Sequence, residues 1–161
     1  MEFRKATVED LEEVEDIYES ARAFMKSNGN PDQWGKHYPP RSLILSDIEE
    51  GNLYITCIDG NAEGVFAFIE GRDPTYDYID GAWLDSDDYC AVHRVASRGR
   101  KKGFVRNIMD YCFGRCNSIK IDTHRDNAVM QNALSKYGFI QCGIIYLENG
   151  EERLAYQMKK D

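Results

Sequence analysis

No stretch of this sequence approaches the ~18–20 consecutive apolar residues that a membrane-spanning helix needs. The first twenty residues carry Glu2, Arg4, Lys5 and a run of further acids, which is not the charged-then-apolar pattern of a secretory signal. Both absences set a cytoplasmic location, with no membrane partner, as the expectation. Basic residues are in short supply: 20 Lys and Arg stand against 28 Asp and Glu, for a net charge of −8. Nucleic-acid binding leans on broad basic surfaces, so no nucleic-acid partner is expected. The balance suits a basic or neutral small molecule, with most of the acids forming an ordinary solvated face. The five cysteines, Cys57, Cys90, Cys112, Cys116 and Cys142, are odd in number and include no CxxC pair and no His/Cys metal spacing. A disulfide framework and a structural metal are therefore not expected, and each thiol reads as a small buried hydrophobe. The Gly-Lys-Ser/Thr ending of a P-loop is absent. Without repeats, low-complexity tracts or linkers, residues 1–161 read as one domain.

What the sequence does contain is a concentrated cationic bend in an acidic chain. Ala91-Val92-His93-Arg94-Val95-Ala96 reads as an apolar strand. Arg100-Lys101-Lys102-Gly103-Phe104-Val105 follows it, and an amphipathic helix is predicted from 104 to 116, with Ile108, Met109, Cys112 and Phe113 on one face. A helix start offers unpaired backbone N–H groups and the positive end of the helix dipole. Gly103 allows close approach of the backbone, and Arg98, Arg100, Lys101, Lys102 and Arg106 add charge. This combination suits a phosphate.

The remaining elements follow from periodicity and turn chemistry. A strand is predicted at 3–6, then a helix capped by Thr7 and Asp10 with an apolar stripe of Leu11, Val14, Ile17, Tyr18, Ala21 and Met25. A loop at 33–40 holds Trp34 and Tyr38, and a helix follows at 41–49. Strands at 53–58 and 64–69 flank the Asp59-Gly60-Asn61 hairpin signal. Residues 71–88 read as an irregular excursion rich in Gly, Asp and Tyr. After the bend come a strand at 118–122, a helix at 127–137 closed by Gly138, and strands at 141–146 and 154–158. The order β-α-α-β-β-β-α-β-α-β-β predicts an α/β (α+β) fold with a mixed sheet and helices on both faces.

These residues resemble the GNAT family of N-acetyltransferases. Its central motif, Arg/Gln-x-x-Gly-x-Gly/Ala between a strand and a helix, is matched by Arg100-Lys101-Lys102-Gly103-Phe104-Val105. Its second signature, an Asn opening the next helix with Gly-Phe eleven and twelve residues later, is matched by Asn127 and Gly138-Phe139. The resemblance implies the acyl-CoA N-acyltransferase fold, a mostly antiparallel sheet with a central parallel strand pair. It implies acetyl-CoA as co-substrate, with its pyrophosphate over the amides of Lys101 to Arg106. The pantetheine arm would lie along Val95 and Ala96 like an added strand, and Asn127 would meet the pantetheine or the reacting region. Pairing of two copies, as family members do through late strands, is a further expectation. Three features depart from the family pattern. Val105 replaces a small residue, the linker Ala96-Ser97-Arg98-Gly99 is short, and Leu134 stands where many relatives carry a Tyr that protonates the leaving thiolate. Tyr137 is the nearest substitute acid.

Acetyl transfer by direct attack needs a deprotonated amine and a donor to the thioester oxygen. The backbone N–H of Val95 or Ala96 is the expected donor. His93, His124, Glu70 and Asp122 are the candidate bases. By strand alternation His93 is expected to share a face with Val95, and His124 follows the next strand at the end where sites in open sheets gather. Against these stand a hydrogen-bonded core role for His93 and a loop-bracing role for His124. For the acceptor, Trp34, Tyr38, Tyr76, Tyr78 and Trp83, with Glu70 and the neighbouring acids Asp73, Asp77, Asp80 and Asp85, form a supply of aromatic and negative groups for a cationic amine of a small molecule or peptide. For Trp34 a role as a lid folded onto the core is the equal alternative. A non-catalytic acyl-CoA-binding module on the same fold is the competing function. A Cys/His hydrolase is disfavoured, since no cysteine sits at a helix start.

Overall fold

The computed structural model describes all 161 residues. Eight strands are hydrogen-bonded in the order β1-β2-β3-β5-β6-β8-β7-β4: β1 (Glu2–Lys5), β2 (Leu53–Ile58), β3 (Asn61–Glu70), β4 (Asp80–Gly81), β5 (Cys90–Ser97), β6 (Ser118–Thr123), β7 (Ile140–Tyr146) and β8 (Glu152–Lys159). The helices are α1 (Leu11–Ser27), α2 (Arg41–Glu49), α3 (Phe104–Phe113) and α4 (Ala128–Tyr137). The sheet is mixed, and its parallel pair is β5 with β6, as the resemblance implied. The chain forms two compact units, one of residues 1–68 and 93–104, the other of 69–92 and 105–161. No helix is long and apolar enough to cross a membrane.

In the first unit β1, β2 and β3 form an antiparallel meander. The β3 strand starts at Asn61, three residues before the apolar run suggested, because the tight turn lets pairing begin at once. Thr7 and Asp10 do cap a helix start: the Thr7 N–H donates to Asp10 Oδ2 at 2.8 Å. The cap launches one 3₁₀ turn, Val8–Asp10, before α1 begins. Val14, Ile17, Tyr18 and Ala21 of α1 are buried, and a fully buried aliphatic side chain contributes about 1.5–3 kcal/mol. The α2 helix buries Ile44 and Ile48, and with them Asp47.

In the second unit β6, β8, β7 and β4 pair antiparallel in that order. The irregular segment holds a 3₁₀ turn, Pro74–Tyr76, and the two-residue strand β4. Tyr76 packs in a cluster with Ala91, Ile145 and Ala155, flanked by Trp83 and Tyr89. Two expectations need correction. The α3 helix stops at Phe113, so Cys116 lies in the following turn rather than on a helix face with Cys112; Gly114 ends the helix there. Strand alternation does not carry His93 and Val95 to a common face either. Arg94 between them has φ +52°, a left-handed conformation that interrupts the period of two.

Candidate functional site

The cationic bend is built on β3. Glu63, only 2% exposed, accepts the Arg100 N–H on Oε1 at 2.9 Å, and its backbone oxygen accepts the Arg98 N–H at 2.8 Å. Next to it, Gly64 lies so close to the Phe104 ring and the Ala96 oxygen that a Cβ would fall 2.3 Å from the ring and 2.7 Å from the oxygen. One dipeptide thus fixes both ends of the bend: the carboxylate holds its entry, and the bare glycine seats the residue that opens α3. Between them Gly103 adopts φ +76°, open to the glycine the motif supplies and strained for other residues.

The five cations of the bend divide by role. Arg98 is spent on structure: it reaches the Ala62 oxygen at 3.2 Å and Glu13 at 3.0 Å. Arg100 lies 3.7 Å from Glu63 but keeps an exposed side chain. Lys101, Lys102 and Arg106 are exposed. Val105, the departure from the motif, is helical and half-buried, so its backbone remains that of a helix first turn. An anion presented to this bend meets helix-start amides and the exposed side chains of Arg100, Lys101, Lys102 and Arg106, with a buried carboxylate setting the backbone. The donor set fits a diphosphate.

Six residues before Arg100, on β5, residue 94 is gripped twice. Its guanidinium forms a two-pronged ion pair with Asp47, Nε to Oδ2 at 2.8 Å and Nη2 to Oδ1 at 2.9 Å. Its carbonyl accepts the Tyr18 hydroxyl at 3.0 Å. Burial acts to lower the Arg94 pKa, but the Asp47 hydrogen bonds and charge outweigh it and the pKa is raised. The loop aromatics Trp34 and Tyr38 lie against this group, with the Trp34 ring 5.7 Å from Tyr18 and 6.1 Å from Tyr38. Trp34 therefore sits as a lid on Tyr18 with its ring half-buried, while Tyr38 stays exposed.

In the second unit one face of β6 carries Ser118, Lys120 and Asp122. The Tyr76 hydroxyl donates to Asp122 Oδ2 at 2.7 Å. The Lys120 ammonium lies 4.2 Å from the centre of the Trp83 ring and 3.9 Å from that of Tyr89. Two of the aromatics expected to bind an acceptor cation are thus turned inward: Tyr76 is 2% exposed, and Trp83 already faces a cation of its own chain. Burial pushes the Lys120 pKa down and the Tyr76 pKa well up. Tyr78 is exposed beside Tyr146, and Glu70 is exposed at the end of β3.

After β6 comes the turn that opens α4. Asn127 caps it, its side-chain oxygen accepting the Met130 N–H at 3.0 Å. His124 Nδ1 accepts the Asp126 N–H at 3.0 Å, so the neutral ring carries its proton on Nε2. That makes His124 a brace of this turn, with Nε2 as its remaining hydrogen-bond donor. Leu134 is fully buried. The Tyr137 hydroxyl donates to Asp110 at 2.7 Å and accepts from Lys160 at 3.0 Å, and its ring stacks on Phe113 at 5.9 Å. Tyr137 is thus held in a tie between α3, α4 and the C-terminal residues, and the structure does not bring it to His124 or Asn127.

Sequence reasoning missed Glu63, Asp47, Arg94 and Lys120. Each is a charge inside an apolar pattern. Asp47 falls on the Ile44–Ile48 stripe, Lys120 between Ile119 and Ile121, and Glu63 just before Val65 and Phe66. A charge at a core position signals a partner, although not which one.

No protein-family profile matches the chain, and neither does any protein of curated function. Solved structures do. A GNAT-family acetyltransferase from Streptococcus agalactiae superimposes with a TM-score of 0.90 at 31% identity, over 99% of this chain and 95% of that one. A Salmonella typhimurium protein solved with acetyl-CoA as its cofactor matches with a TM-score of 0.64 at 15% identity, over 99% and 94%. An aminoglycoside acetyltransferase in complex with coenzyme A and kanamycin matches with a TM-score of 0.66 at 15% identity, over 98% and 94%.

Proposed function

The chain belongs to the GNAT family of acetyltransferases, and on that premise we propose that it moves the acetyl group of acetyl-CoA to a primary amine of a small molecule or peptide by direct attack. The observation that carries this reading is the bend. Its backbone is set by Glu63 and Gly64, and its outward cations Lys101, Lys102 and Arg106 stand at the start of α3. Acetyl-CoA supplies the acetyl group as a thioester, whose sulfur leaves readily. The chain's own groups do the rest. The bend holds the diphosphate, Val95 and Ala96 present backbone hydrogen bonds to the pantetheine arm, and the Val95 N–H faces the carbonyl as it gains charge. His93, two residues before that amide on β5, is the candidate to take the proton of the attacking amine, a role that does not rest on a shared strand face because left-handed Arg94 lies between them. Within its own unit, His124 is held in the turn that Asn127 caps.

Tyr137 is reassigned to packing, since its hydroxyl already bridges Asp110 and Lys160. With Leu134 buried as well, no side chain is assigned as the acid for the leaving thiolate. The same fact favours the second reading, an acyl-CoA-binding module without turnover.

The deciding experiment follows thiol release from acetyl-CoA across a panel of amines: polyamines, amino acids, aminoglycosides and peptides with a free N-terminus. The aminoglycosides are included because one similar structure is that of an aminoglycoside acetyltransferase in complex with kanamycin. The transferase reading expects release with at least one amine, slowed at least tenfold in His93→Ala. Tight binding of acetyl-CoA with no release on any amine would select the non-catalytic module.

A further inference from the structure

Arg94 has its charged partner far away in sequence, and it stands at a strained backbone position. Its φ of +52° is uncommon outside glycine and strained for a residue with a side chain. Such a conformation persists only where the surroundings enforce it. Here they do so from two helices. Asp47 of α2 takes the guanidinium in a fork with both partners largely buried, the side chains 5% and 12% exposed. Tyr18 of α1 donates to the Arg94 carbonyl at 3.0 Å.

The second contact has a direct geometric consequence. The carbonyl of residue 94 and the N–H of residue 95 belong to one planar trans peptide and point in opposite directions. A hydroxyl that pins the carbonyl toward α1 therefore aims the Val95 N–H the other way. The fork does the same from the side chain: by holding the guanidinium on α2 it fixes the rotation of the chain at residue 94, which sets the plane of the next peptide.

We infer that Tyr18, Asp47 and Arg94 form a positioning clamp that orients the Val95 amide toward the thioester carbonyl of the donor. The inference rests on the acetyl-CoA reading above and adds to it a cause for the orientation of the donor group. None of the three side chains touches the reacting atoms; they act through one peptide plane. A fixed donor needs no reorganisation as charge develops on the oxygen, and loss of one such donor typically costs roughly 10²–10³-fold in turnover.

The test uses infrared spectroscopy of acetyl-CoA labelled with ¹³C at the carbonyl, which needs no acceptor. On the wild-type chain the labelled carbonyl band moves to lower wavenumber, because a hydrogen bond weakens the C=O bond. In Tyr18→Phe the coenzyme still binds, its affinity within threefold, but the band returns toward its position in water-free solvent; with any amine the chain accepts, kcat falls at least tenfold while KM for acetyl-CoA stays within threefold. Asp47→Asn gives the same pattern, which guards against a folding defect in one variant. A role in stability alone would lower the melting temperature and leave the band in place. If both variants bind and keep the wild-type band, the clamp is refuted while the acetyl-CoA reading stands. If the wild-type chain binds no acetyl-CoA, both fall.

Discussion

Arg94 and Lys120 are both buried cations, each within its own unit, and the chain accommodates them by different means. Arg94 faces a carboxylate through two short hydrogen bonds. Lys120 faces the rings of Trp83 and Tyr89. Burial works to neutralise both, yet the Arg94 pKa ends raised and the Lys120 pKa lowered. A full counter-charge with fork geometry outweighs desolvation, whereas ring faces offset only part of it. The first arrangement is directional and fixes a backbone. The second is tolerant of angle and holds a cover of loop aromatics against a strand.

The largest expected effect comes from breaking the fork. Asp47→Ala leaves a guanidinium buried without its partner and should destabilise the chain by about 3–5 kcal/mol, read by chemical denaturation. Adding Arg94→Met should recover a substantial part of that loss, since the uncompensated charge is then gone. If Asp47→Ala costs less than ~1 kcal/mol, the fork is not the strong partner described here.

Removing the other cation should cost far less. Lys120→Met keeps the volume and the contact with the rings, and should change stability by no more than about 1 kcal/mol in either direction. The pH dependence sharpens the contrast. A lysine whose folded pKa is depressed binds fewer protons when folded than when unfolded, so stability rises as pH climbs from that depressed value toward the unfolded value near ~10.4. Denaturation midpoints of the wild type measured between pH 8 and 10 should carry that upward contribution, and Lys120→Met should lack it.

The smallest effect isolates burial from geometry. Arg4 and Asp10 form the same kind of fork at the surface, at 2.7 and 2.8 Å, with the Arg4 side chain 50% exposed. The Arg4 hydrogen bond draws the Asp10 carboxyl down from its usual value to about 2. Its contribution to stability is present above the unfolded carboxylate pKa and is lost as pH falls through about 2. Solvent exposure of Arg4 limits it to below about 1 kcal/mol. Arg4→Ala should therefore flatten acid unfolding slightly, far less than Asp47→Ala disturbs stability at neutral pH.

Elements repeated by local periodicity were legible before any coordinates. The stripe of α1, the hairpin of β2 and β3, the bend at Gly103 and the start of α4 at Asn127 all lie where pattern and capping chemistry put them. What stayed hidden depends on partners distant in sequence. Nothing local says that Asp47 meets Arg94, or that Tyr18 reaches the same residue. Tyr76, Tyr78 and Trp83 of 71–88 read as part of an acceptor surface because loops are usually exposed; Tyr76 and Trp83 instead pack against Asp122 and Lys120 of β6. Strand alternation misjudged His93 for a similar reason: left-handed backbone at a non-glycine residue is enforced by tertiary contacts and leaves no mark in the pattern.

Calorimetric titration with acetyl-CoA tests the central claim most directly. One saturable site per chain is predicted, with affinity that falls as salt rises and drops at least tenfold when Lys101, Lys102 and Arg106 are changed together to alanine. An absence of binding at millimolar acetyl-CoA, or affinity unchanged in the triple variant, would contradict it.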